Sequence, residues 1–257
     1  MQEKVFVKNK KGLRLATVIE RPKFKGEFPT VFLFHGFKGY KEEAQYSKLA
    51  KELLKNRIAS VRFDASGFGE SGGDFRKDYR LTNYIKDAFV IYEYVIQKDW
   101  VDKKRIGMMG HSLGAAVVLV IASKYPQIKA VVSVSTPDIF ATRDDLGKRL
   151  KEWMAKGYIE VGSSKAGKNL KVPYKFALDA MKYDIRKYAG KISSQKLFIL
   201  GKEDTRVVPD QTRNVYKAAE EPKKLIEVEN MRHDYKRQPK ILKKVNKEIV
   251  EYFNKNI

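Results

Sequence analysis

Gly110-His111-Ser112-Leu113-Gly114 joins a strand-like run, Arg105–Met109, to a helix-like run, Leu113–Tyr125. A serine bracketed in this way sits in a strained strand-to-helix turn that lifts its hydroxyl above a sheet. The two glycines have a steric reason. Two residues before and two after the serine, strand and helix approach too closely for most side chains. Ser112 is therefore a candidate nucleophile, and the rest of the chain must supply a base, an acid to orient it and donors for a developing oxyanion.

Outward from this turn, short β-rich runs alternate with helical patterns. Lys4–Lys8 and Leu13–Ile19 flank the turn-like Asn9-Lys10-Lys11-Gly12. Val31–Phe34, Ile58–Phe63, Ile128–Val134, Lys196–Leu200 and Lys224–Val228 read as further strands. Helical spacing falls at Tyr46–Leu54, Leu81–Gln97, Gln211–Ala219 and Pro239–Phe253. This alternation predicts an α/β fold with a mostly parallel sheet covered on both faces. The rhythm breaks between Pro137 and Tyr188. There the chain predicts a helix over Arg143–Lys156 with apolar Leu146, Leu150, Trp153 and Met154, a hairpin within Gly157–Lys171, and a helix over Tyr174–Tyr183. About 50 residues is far more than a connecting loop of about 4–6. The expectation is a core of residues 1–137 and 186–257 carrying an inserted lid of residues 138–185.

A serine hydroxyl needs a base at neutral pH, and histidine is suited to the task. The chain has three histidines. His35 and His111 sit against turn residues, which leaves His233, beyond the last strand, as the base. Its partner carboxylate is expected after the preceding strand, in Gly201-Lys202-Glu203-Asp204-Thr205-Arg206-Val207-Val208-Pro209. Asp204 is preferred and Glu203 is the alternative. Asp234 is disfavoured, because adjacent side chains rarely reach the needed orientation. Oxyanion donors are expected from the Leu113 amide and, after Val31–Phe34, from the Phe37 amide in His35-Gly36-Phe37.

Together with Asp64-Ala65-Ser66-Gly67-Phe68-Gly69-Glu70-Ser71-Gly72-Gly73, these parts resemble the α/β-hydrolase superfamily, in which the triad runs Ser, Asp, His along the chain. The His-Gly-Phe turn and an insertion after the sixth strand are similar to the feruloyl (cinnamoyl) esterases. That resemblance implies a serine carboxylesterase acting through an acyl-enzyme on esters with an aromatic acyl part, and in some relatives on aromatic polyesters. In the insertion Phe140, Trp153, Tyr158, Tyr174 and Phe176 are candidates to line an acyl pocket or to form the unit's own core. Asp138 is a candidate for a substrate hydroxyl or for a turn. Glu70 and Ser71 are expected to support their turn.

Composition narrows the alternatives. With 43% hydrophobic residues the chain is globular, and no cysteine is present for a thiol nucleophile or a disulfide. No apolar stretch reaches the roughly 18–20 residues of a bilayer span. No basic-then-apolar leader opens the sequence, so a cytoplasmic location is the default. The histidines have no metal-ligand spacing and no dinucleotide fingerprint is present, so no cofactor or metal is expected. The net charge of +22 is spread from Lys4 to Lys255. It reads as a solvated, lysine-rich exterior of the kind enriched in thermophilic proteins, without a specific nucleic-acid partner. The expected partner is a small-molecule ester, with the chain a monomer or homodimer. Rival readings are a serine aminopeptidase or acyl-peptidase without the propeller domain, a monoacylglycerol lipase, and a noncatalytic polyanion-binding protein on a hydrolase scaffold.

Overall fold

The computed structural model describes residues 1–140, 144–163 and 165–257. Eight strands form one sheet in the order β1-β2-β4-β3-β5-β6-β9-β10. These are β1 (Gln2–Lys8), β2 (Arg14–Glu20), β3 (Phe28–Phe34), β4 (Ala59–Phe63), β5 (Val101–His111), β6 (Ile128–Val134), β9 (Gln195–Gly201) and β10 (Lys223–Val228). Only the pairings β1–β2 and β2–β4 are antiparallel. The ladders from β4 across to β10 are all parallel. The expected α/β fold is thus present, with its antiparallel edge at the N-terminal hairpin.

Side chains alternate across the pleat, and that alternation builds two apolar layers. Phe32, Phe34, Met108 and Val131 face one side. There they pack with α3 (Leu81–Val95), α4 (Leu113–Ala122), α7 (Ile185–Ala189) and α8 (Pro209–Ala218). Val31, Leu33, Met109 and Val132 face the other side, against α1 (Ala44–Lys55) and α9 (Pro239–Asn256). Every residue of α4 is buried, which explains why its sequence is apolar all round instead of amphipathic. The four-residue helix α2 (Phe75–Asp78) and the short α7 carry too few residues for a periodic signal, and the sequence reading missed both.

Between β6 and α7 the chain leaves the sheet. It forms α5 (Asp144–Lys156), an antiparallel hairpin of β7 (Tyr158–Ser163) and β8 (Lys168–Pro173), and α6 (Tyr174–Ala180). The Arg143 start expected for α5 and the side chain of Leu146 lie outside the described residues. An isolated bridge between Ile139 and Asp184 closes the neck of this excursion, and Ile185 N–H donates to Asp138 O at 2.9 Å beside it. Trp153 anchors α5 to the hairpin through Nε1–H to Val172 O at 2.8 Å. Asp179 of α6 accepts from the Thr82 amide and hydroxyl at 2.8 and 2.7 Å, which ties the excursion to α3.

The loop after β4 is held by a buried ion pair. Asp64 accepts from the Lys41 amide at 2.7 Å, from Lys41 Nζ at 2.8 Å and from the Glu70 amide at 2.8 Å. Ser71 Oγ donates to Asp64 O at 2.6 Å and accepts from the Ala16 amide at 2.9 Å. Burial alone would depress the Lys41 pKa, but its bonds to Asp64 and Glu70 outweigh that and raise it. Removing one partner of such a pair strands a buried charge. Lys41→Met is expected to lower unfolding stability by about 3–5 kcal/mol, read from urea denaturation at neutral pH.

Candidate active site

Four loops meet above the carboxyl ends of β3, β5, β9 and β10, the end of a parallel sheet where ligands bind. The bend after β5 is enforced by contact. A Cβ at Gly110 would stand 2.1 Å from Gly114 O, and one at Gly114 would stand 2.3 Å from Phe34 O. Ser112 between them adopts φ +56°, ψ −118°, a conformation rarely taken by a residue with a side chain. Its amide donates to Val134 O at 2.9 Å, and its carbonyl accepts from Ala115 at the start of α4.

His233 and Ser112 line one cleft of about 660 Å³, and Asp204 stands behind the histidine. His233 Nδ1–H donates to Asp204 Oδ2 at 2.8 Å, which leaves Nε2 with its lone pair. The other carboxylate oxygen of Asp204 accepts from the Arg206 and Val207 amides, each at 2.9 Å. Burial acts to raise the pKa of this carboxyl. The hydrogen bond and charge of His233, with the Val207 amide, outweigh it and hold Asp204 below the usual carboxylate range. Glu203, the alternative acid, faces Arg232 at 3.5 Å, and Asp234 pairs with Arg206 at 3.2 Å.

The other two histidines are buried, and one of them adjoins this pair. His35 Nε2 accepts from the Ala65 amide at 3.1 Å, so Nδ1–H donates to Gly36 O at 2.9 Å and joins the loops after β3 and β4. Its ring stacks on Tyr84 at 4.7 Å. His111 packs against His233 with ring centroids 4.8 Å apart, and edge-on to Tyr235 at 5.3 Å. Burial lowers the pKa of both rings, and for His111 the proximity of His233 adds to it.

The loop after β3 runs past the serine, since a Cβ at Gly36 would stand 3.4 Å from Ser112 Cβ. It is pinned by Gly39 N–H to Gly36 O at 2.9 Å and by Lys38 N–H to Tyr79 Oη at 2.8 Å. The amides of Phe37 and Leu113 donate to no protein acceptor among the described residues. Leu113 also opens α4, where the helix dipole favours negative charge.

Of the aromatic residues expected at a pocket, Phe140, Trp153 and Phe176 line the cleft with Phe37 and Leu113. Asp138, Tyr158 and Tyr174 are not among the residues that line it. Asp138 is buried and accepts from the Ile139 amide at 2.7 Å, Gln211 at 3.0 Å and Asn214 at 3.0 Å. Tyr174 packs edge-on against Trp153 within the excursion, and Tyr158 carries the Lys171 ammonium 4.7 Å from its ring. Sequence reading missed Ile159 and Val161 of β7, whose period-two alternation with Glu160 was the available signal. It also missed a polar wall of Glu43, Gln45 and Lys236, which no local pattern marks. Charges on the lining balance: Lys38, Arg206 and Lys236 face Glu43, Glu160 and Asp234. Among the described residues no cluster of His and acidic side chains could hold a metal ion, and no helix is long and apolar enough to cross a membrane.

Comparison with known proteins agrees with this architecture. Uncharacterized protein YcjY of Escherichia coli is 31% identical over 152 residues, covering 58% of this chain and 49% of its own length. The chain thus spans about half of that relative. Among solved structures, the α/β hydrolase GrgF from Penicillium superposes with a TM-score of 0.84 at 15% identity, covering 100% of this chain and 99% of its own. Est1E from Butyrivibrio proteoclasticus, solved with ferulic acid bound, superposes with a TM-score of 0.77 at 20% identity, covering 96% and 98%. Residues 27–174, more than half of the sequence, match the Hydrolase_4 family model, described as serine aminopeptidase, S33. The chain therefore belongs to the Hydrolase_4 family and has the α/β-hydrolase fold.

Proposed function

We propose that this hydrolase is a serine carboxylesterase working through an acyl-enzyme on esters with an aromatic, feruloyl-type acyl group, aromatic polyesters included. The observation that carries the reading is the 2.8 Å His233–Asp204 bond at the back of a cleft whose wall holds Ser112. Ser112 Oγ attacks the ester carbonyl while His233 Nε2 takes its proton, and Asp204 orients the ring and stabilises the imidazolium. The Phe37 and Leu113 amides receive the charge on the carbonyl oxygen. His233 then gives its proton to the departing alcohol. Water, deprotonated by the same nitrogen, attacks the acyl-enzyme and releases the acid, restoring Ser112.

The acyl preference follows from the wall. Phe37, Phe140, Trp153 and Phe176 offer aromatic faces, and the balanced lining charges favour an uncharged acyl group. The excursion between β6 and α7 supplies three of those rings, so it acts as a lid that helps to exclude water. Ferulic acid bound to the structurally similar Est1E supports the same class. The aminopeptidase reading draws on the family description and on Glu160, which has no ion-pair partner among the described residues and could receive a substrate ammonium.

Ser112→Ala is expected to abolish hydrolysis of p-nitrophenyl and methyl ferulate esters and fluorophosphonate labelling, with an unchanged far-UV spectrum. Turnover by that variant would overturn the mechanism. Parallel rates on methyl ferulate, a long-chain glyceride and an aminoacyl anilide test the substrate class; faster cleavage of the anilide would favour the aminopeptidase. Asp204→Asn is expected to lower kcat by about 10⁴-fold. It also changes acid stability. A carboxyl whose folded pKa is depressed contributes stability that is complete above its ordinary value, about 3.9, and is lost as pH falls through the folded value. Urea midpoints of the Asn variant are therefore expected to fall less steeply than those of the parent below about pH 4.

A further inference from the structure

Past Gly201 and Val228 the β9–β10 ladder ends, yet the two loops that follow stay side by side. Main-chain bonds run from Lys202 N–H to Val228 O at 3.0 Å and from Glu203 N–H to Met231 O at 3.2 Å. Side chains then carry the pairing on. Lys202 Nζ meets Glu229 Oε1 at 2.5 Å, Arg232 Nε meets Glu203 Oε2 at 3.5 Å, and Arg206 meets Asp234 Oδ2 at 3.2 Å. The His233–Asp204 bond lies between the last two of these pairs.

The signs match in the pairing observed. One loop reads plus, minus, minus, plus at 202, 203, 204 and 206; the other reads minus, plus, neutral, minus at 229, 232, 233 and 234. A slip that offered Glu203 to His233 would carry Arg232 toward Lys202 and Asp234 toward Asp204, setting like charges together. We infer that Glu203–Arg232 and Arg206–Asp234 form a charge-matched clamp whose residues position His233 against Asp204 and exclude Glu203 as the orienting acid. The four clamp residues act through the histidine and take no part in proton transfer. The kinetic consequence rests on the mechanism proposed above; the register itself does not.

Arg232 and Arg206 are 74% and 63% exposed, so each pair is weak and salt-screened, and the variants can be made without disturbing the core. The experiment is a charge swap. Arg206→Asp and Asp234→Arg are each expected to lower kcat about two- to five-fold, alongside the KM change that their place on the cleft lining brings, and the double variant to recover most of the loss in kcat. The readout that does not need turnover is the low-field NMR resonance of the His233 Nδ1 proton, assigned by its loss in Asp204→Asn. It is expected to weaken in each single reversal and to return in the swap. A double variant as slow as the product of the singles, an effect confined to KM, or a resonance indifferent to single reversals would each overturn the clamp. Failure of the parent protein to label with fluorophosphonate would instead remove the esterase mechanism, and the resonance would still decide the clamp.

Discussion

The collision between β5 and α4 is the constraint on which this molecule is arranged. Strand and helix can meet at Ser112 only because positions 110 and 114 lack side chains, and the contact forces Ser112 to φ +56°. Such a conformation costs on the order of 1–3 kcal/mol and persists only when its surroundings over-determine it. Here they do. All ten residues of α4 are buried against the sheet, and the Ser112 amide is held by Val134 O from the neighbouring strand. A packed core on one side and a sheet ladder on the other leave the bend no cheaper geometry.

The same logic places the remaining parts. Each candidate side chain sits on a loop, but each loop begins within a few residues of a buried strand end: Phe34, His111, Gly201 and Val228. Rigid strands thus fix where the loops start. Short-range contacts then fix where they go: His35 for the loop after β3, the Asp204 carboxylate for its own turn, and the ion pairs between the loops after β9 and β10. The aromatic wall of the cleft is built differently. Its aromatic face comes partly from an excursion fastened at the Ile139–Asp184 neck and at Thr82–Asp179, away from the strand ends. The excursion meets the loop after β3 where Phe37 packs on Phe176, ring centroids 4.9 Å apart, and where Lys38 Nζ donates to Gly162 O.

The difference between loops that start at strand ends and an excursion fastened by distant contacts explains what was legible in the sequence. The sheet, its main helices and the gathering of Ser112, Asp204 and His233 follow from signals carried by neighbouring residues: period-two runs, glycine spacing and loop position after a strand. The preference for Asp204 over Glu203 had no local basis as firm. It becomes physical only once Arg232 is seen to occupy Glu203. Asp138 shows the opposite case. A carboxylate at the mouth of an insertion invites a ligand role, yet Gln211 and Asn214, more than 70 residues on, consume it. Aromatic side chains in the insertion carried no mark of which face they occupy, because its buried residues continue the apolar layer on one side of the sheet. Trp153 is one of them, with its indole N–H tied to Val172 while the ring borders the cleft.

The three histidines also settle an electrostatic question within the site. In the mechanism proposed above, proton transfer from Ser112 would create an imidazolium on His233, beside a second imidazole whose centroid is 4.8 Å away. Two unit charges at that separation repel by about 3–4 kcal/mol at an effective dielectric constant of about 20. A charged His111 would therefore oppose the transfer by more than two orders of magnitude in rate, at about 1.4 kcal/mol per tenfold. Burial prevents this by pushing the His111 pKa well below its ordinary value, and it lowers that of His35 as well. With His111 neutral, the ring beside His233 adds no cation to oppose that transfer, and Lys236 on the same cleft acts with burial to keep it so. In the proposed mechanism the proton is thus left to His233.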